Sequence, residues 1–102
     1  MHSACLKLVL PASLEEQVVD HLLRHPEWAG GFTAYAVDGH GSPHRISGSA
    51  EAVRGRAGRV QMEILTVDAG TARELVEHLK AEMPNADILW WIAPVLCSGD
   101  FR

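Results

Sequence analysis

The sequence has 102 residues, is 47% hydrophobic and 22% charged, and carries a net charge of −4. That length suits one domain, 1–102, and that composition excludes a largely disordered chain. A net acidic chain is no general nucleic-acid binder, and no apolar run reaches the ~18–20 residues that a bilayer crossing requires, so no membrane insertion is expected.

In chain order, Cys5-Leu6-Lys7-Leu8-Val9-Leu10 is a short apolar stretch that predicts a strand, ended by Pro11, which has no N–H for a ladder bond. Ser13 and Glu16 stand at capping-box spacing, and Leu14, Val18, Val19, Leu22 and Leu23 share one helical face, so a helix is predicted up to Arg24-His25, before Pro26. Phe32–Val37 predicts a second strand. Val60, Met62 and Ile64 alternate with Gln61 and Glu63 and predict a third that runs on through Val67. Thr71 and Glu74 repeat the capping-box spacing, and Ala72, Leu75, Val76, Leu79 and Met83 give a second amphipathic helix, ended by Pro84-Asn85. Ile88-Leu89-Trp90-Trp91-Ile92-Ala93 predicts the fourth strand, with Val95-Leu96-Cys97 extending it.

The order βαββαβ is the ferredoxin-like split motif: an α+β fold with two helices on one face of an antiparallel sheet. The fourth strand is apolar on both sides, which is the pattern of a strand covered twice. Leaving a tryptophan in water forgoes roughly 1.5–3 kcal/mol of burial. A homo-oligomer that covers the second sheet face is therefore expected.

Between the second and third strands the pattern breaks down. Asp38 to Arg59 holds five glycines, one proline, two histidines and four arginines against Asp38 and Glu51, a net charge of +2 on an acidic body. Long irregular segments in small domains are commonly functional, and a local basic cluster suits an anion or an acidic partner. A short helix through Ser49–Val53 is one reading of part of it.

Val37-Asp38-Gly39-His40-Gly41, the long loop and Arg59-Val60-Gln61-Met62-Glu63-Ile64 resemble the second strand, T-loop and third strand of P-II signal-transduction proteins. Together with Gly31-Phe32-Thr33, Glu51-Ala52-Val53-Arg54-Gly55-Arg56 and Trp91-Ile92-Ala93-Pro94-Val95-Leu96, they resemble a family of short P-II-like proteins within the P-II and CutA-like superfamily. The resemblance implies a trimer, small effectors bound in clefts between subunits, and a loop, here about 41–58, that engages a target protein, with a membrane transporter of a heavy-metal efflux system as a candidate. It also implies ligand-binding roles for Gly39, His40, Gly41, Arg54, Arg56 and Arg59. Departures from the P-II pattern point away from ATP with 2-oxoglutarate. The Pro84-Asn85-Ala86-Asp87 turn has no glycine or cation, and the loop has no tyrosine to modify. AMP or ADP, bicarbonate, or a divalent transition metal are the alternatives.

His40 and His44 suit a metal by residue type, since imidazole is the commonest ligand for zinc, copper and nickel. Two histidines are too few for a closed site. Neighbouring copies, or His2, Cys5, Cys97 or Glu63, would have to complete it; the plainer reading is two solvated loop side chains. Cys5 and Cys97 fit no zinc spacing and read best as buried free thiols. The start of the chain lacks a secretory pattern, so the cytoplasm is the expected compartment. No nucleophile elbow, phosphate loop, His-Glu-x-x-His or Cys-x-x-Cys is present, which favours a binding protein over an enzyme. The function expected is effector sensing and regulation of a target, with a metal-binding accessory protein using His40 and His44, or a small enzyme on a ferredoxin-like oligomer, as the rivals.

Overall fold

The structure is a computed structural model that describes residues 1–41 and 57–102. Its centre is β1 (Ala4–Leu10), which is antiparallel to β3 (Ala57–Thr66) on one side and to β4 (Leu89–Pro94) on the other. The strand β2 (Gly31–Gly39) pairs antiparallel with β3, giving the sheet order β2-β3-β1-β4. Two helices, α1 (Glu15–Arg24) and α2 (Ala69–Glu82), supply the second layer.

Strand alternation decides which side chains meet the helices. Leu6, Leu8 and Leu10 of β1 and Met62 and Ile64 of β3 are fully buried, and Val18 and Leu22 of α1 and Ala72, Leu75 and Val76 of α2 close over them. Trp90 and Ile92 pack against the same core from β4. Each such side chain removed from water contributes roughly 1.5–3 kcal/mol. The opposite sheet face carries the partners in register Glu63, Lys7 and Trp91, and among the described residues no helix covers it. Of the two tryptophans, therefore, Trp90 is in the core and Trp91 is 39% exposed.

The ends of the elements differ from their sequence signals in three places. Ser13 does not cap α1. Pro11, at φ −62° and ψ 145°, is followed by a single 3-10 turn over Ala12–Leu14, in which the Leu14 N–H donates to the Pro11 carbonyl, and α1 begins from that turn with no side-chain cap. In α2 the cap is Asp68, not Thr71: its Oδ1 accepts the Thr71 N–H at 2.7 Å, so the helix opens three residues earlier than the capping-box reading. After Pro94 the sheet continues for one bond only, Val95 N–H to the Ser3 carbonyl at 2.9 Å, and Leu96 is fully exposed. Val95-Leu96-Cys97 is thus a tail rather than strand. Cys5 is buried as expected, with burial pushing its thiol up, whereas Cys97 is exposed. Asn85, at φ 62°, takes the left-handed conformation that turns the chain from α2 toward β4. The Ser49–Val53 helix lies outside the described residues.

Candidate functional site

The first candidate region is the far end of the β2–β3 ribbon. Its last pair is Gly39 with Ala57, and residues 42–56 connect the two strands beyond it. Gly39 is buried and His40 is exposed. Gly41 has φ +71°, a backbone conformation that L side chains rarely adopt, with open space where a Cβ would stand. Arg59 faces Val37 in the ladder, two residues along from the Gly39 pair. Its side chain is buried rather than solvated. Nη2 donates to Asp87 Oδ2 at 3.3 Å, and Nη1 donates to the Gly58 carbonyl at 3.1 Å. The geometry thus brings Gly39, Gly41 and Arg59 to one end of the ribbon and links that end, through Asp87, to the turn before β4. His44, Arg54 and Arg56 lie outside the described residues.

The extra metal ligands considered with His40 do not gather around it within one subunit. His2, Cys5 and Glu63 line a surface hollow beside Gly31 and Thr33, at the start of β2. His40 follows the other end of the same nine-residue strand, and at ~3.3 Å per residue the two ends are roughly 27 Å apart. Glu63 itself is engaged on the uncovered sheet face. It accepts the Tyr35 hydroxyl at 2.9 Å and pairs with Lys7 Nζ at 3.6 Å. The hydrogen bond to the Glu63 carboxylate raises the Tyr35 phenol above its ordinary range.

A second region, which the sequence motifs do not pick out, lies between the two helices. His21 and His25 stand four residues apart at the end of α1, and His78 projects from α2. The ring centroids are 4.7 Å apart for His21 and His25, 5.4 Å for His21 and His78, and 5.0 Å for His25 and His78. Pro26 follows α1, and the N–H groups of Trp28 and Ala29 both donate to the His25 carbonyl, which folds the chain back on itself. Trp28 thereby stacks on His25 and meets His78 edge-on, with centroids 5.0 and 4.5 Å away. His21 is 2% exposed; its Nδ1 donates to Glu82 Oε2, and Arg24 Nη2 donates to the other oxygen of Glu82 at 3.0 Å. The hydrogen bond from His21 is the main reason the Glu82 carboxyl is held below its ordinary value. The signal available in the sequence was the four-residue spacing of His21 and His25 on a helix. The third member, 53 residues further on, joins them only through the packing of α2.

A β2-β3-β1-β4 antiparallel sheet with two helices on one face is the ferredoxin-like fold of P-II-like and CutA proteins, and solved structures similar to this one come from that class. A DUF3240 protein from Shewanella baltica aligns over 100% of this chain and 99% of its own at 19% identity, with a TM-score of 0.77. CPII from Thiomonas intermedia, a nitrogen regulatory PII-like protein bound to ADP, AMP and bicarbonate, aligns over 98% and 97% at 15% identity, TM-score 0.69. The periplasmic divalent cation tolerance protein CutA from Archaeoglobus fulgidus aligns over 96% and 87% at 15% identity, TM-score 0.67. The chain belongs to the DUF3240 family, described as proteins of unknown function, which it matches over residues 1–102. No curated protein matches it. Among the described residues, no helix is long and apolar enough to cross a membrane.

Proposed function

We propose that this chain is a P-II-like regulatory protein. It assembles as a homotrimer, binds a small anionic effector in the clefts between subunits, and uses its long β2–β3 loop to engage a target protein. The observation that carries the reading is the end of the β2–β3 ribbon. There Gly41 leaves the backbone open to close approach just past the last ladder pair at Gly39, and a buried arginine, Arg59, is anchored through Asp87 to a turn that has no cation of its own. Backbone N–H groups and guanidinium together suit phosphate or bicarbonate. Arg54 and Arg56 add two cations from the loop, and His40 a hydrogen-bonding ring. The full-length likeness to a Thiomonas protein bound to ADP, AMP and bicarbonate supports the same ligand chemistry here. A regulatory loop acts only if the effector prefers one loop state over the other.

Thermal melting of the full chain with AMP, ADP, ATP or sodium bicarbonate tests the reading. A ligand at 100 times its dissociation constant adds about 2.7 kcal/mol and raises the melting temperature by several degrees. A shift with AMP, ADP or bicarbonate that disappears in the R54A/R56A variant is the expected result. No shift with any of the four, or a shift unchanged in the variant, removes the anion site.

A further inference from the structure

Three histidines, His21, His25 and His78, meet between α1 and α2. One ligand atom from each of His21, His25 and His78 lies within 4.8 Å of the other two. In a tetrahedral zinc centre, bonds of 2.0–2.1 Å put nitrogens about 3.4 Å apart, so modest ring rotations close the set. The His21 ring is the informative one. Its Nδ1–H is taken by Glu82, so the lone pair that remains is on Nε2. Among the described residues that atom is buried and has no hydrogen-bond partner. Leaving a buried polar atom without a partner is unfavourable, because it has given up water and gained nothing in exchange. The rings packed against His21 are His25 and His78, each with a nitrogen to offer. The His25 Nδ1–H donates to Glu27 Oε2 at 3.2 Å, which likewise reserves Nε2 for a ligand.

From this geometry we infer that His21, His25 and His78 bind one divalent borderline cation, zinc or cobalt in chemistry, with Glu82 orienting His21 from behind. A carboxylate that accepts the second ring N–H of a ligating histidine fixes the tautomer and the direction of the lone pair. Three imidazoles leave a fourth position open, toward the exposed His78 and the shallow groove beside it that Trp28, Arg73 and Glu77 line. Mere packing of three histidines against Trp28 accounts for the ring stacking. It accounts neither for the vacant, buried Nε2 nor for the carboxylate on its other nitrogen. The site is built from one chain and is independent of the subunit cleft proposed above.

The test is a titration of the untagged full chain with Zn(II), by competition with a chromophoric chelator, and with Co(II), by visible absorption. One cation per subunit is expected, with the intense d–d bands of tetrahedral cobalt. H25A and H78A, whose side chains lie at the less buried end of the cluster, lower the affinity at least tenfold while keeping the native far-ultraviolet spectrum. E82Q lowers it about 10- to 100-fold, the usual effect of losing the carboxylate behind a ligating histidine. Wild-type protein that binds neither ion, or affinity unchanged in both H25A and H78A, overturns the site. Affinity unchanged in E82Q alone overturns the orienting role of Glu82.

Discussion

Asp68 shows how a single side chain sets an element and its pH range. Its ionised carboxylate accepts the Thr71 N–H, and this bond is the chief reason its carboxyl titrates below the ordinary aspartate value. A lowered folded value means that the stabilisation is complete above the unfolded pKa, about 3.9, and is lost as pH falls through the folded one. D68N keeps an oxygen for the cap, so it melts close to wild type at pH 7 while losing part of the steep decline below about pH 4; D68A melts lower at both pH values. Thermal melts followed by circular dichroism at pH 7 and pH 3 check this, and an acid decline in D68N as steep as in wild type counts against it. The same residue marks a limit of sequence reading. Asp68 and Thr71, like Ser13 earlier, are all chemically competent caps. Which one serves depends on where the preceding strand or turn releases the chain, and that is set by tertiary packing rather than by local spacing.

At the scale of elements the sequence was far more legible, because burial follows period. The apolar residues predicted for the core face of the second helix, Ala72, Leu75, Val76 and Leu79, are the ones that α2 buries, and the alternation in β3 divides its two faces as read. The first helix holds a contrast within one predicted apolar face: Leu22 is fully buried, yet Leu23 is 65% exposed at the helix edge. Truncating the corresponding core leucine of the other helix, L75A, is expected to cost about 2–5 kcal/mol. L23A changes stability by less than about 0.5 kcal/mol. Urea unfolding of the two variants separates them, and equal losses would mean that Leu23 is covered in solution. The histidine pocket was not legible at this scale. Helical periodicity describes each helix alone, and the pocket exists only where two helices from different halves of the chain meet.

For the whole molecule, the uncovered sheet face is the feature with the largest consequence for assembly. Tyr35, Leu65 and Trp91 are exposed on it, around the Glu63–Lys7 pair. An exposed apolar surface of this kind is characteristic of an interface. Wild-type protein is expected to scatter light as a trimer at micromolar concentration. W91E is expected to shift the mass toward the monomer while keeping its far-ultraviolet spectrum, since Trp91 lies outside the helix-covered core. A monomeric wild type, or a trimer untouched by W91E, would place the interface elsewhere.

The sheet order also says how the chain has to come together. In β2-β3-β1-β4 the central strand β1 touches only β3 and β4, and β2 touches only β3. The first βαβ half therefore contains no strand pairing of its own: β1 and β2 wait, unpaired, for partners that are synthesised after the long loop. Until β3 has left the ribosome, the nascent chain has no sheet to nucleate on and displays to solvent the strand that is most deeply buried in the folded protein. Contacts of such long sequence separation slow folding. During that interval α1, with its apolar face, is the local structure described in the first half that can shield β1.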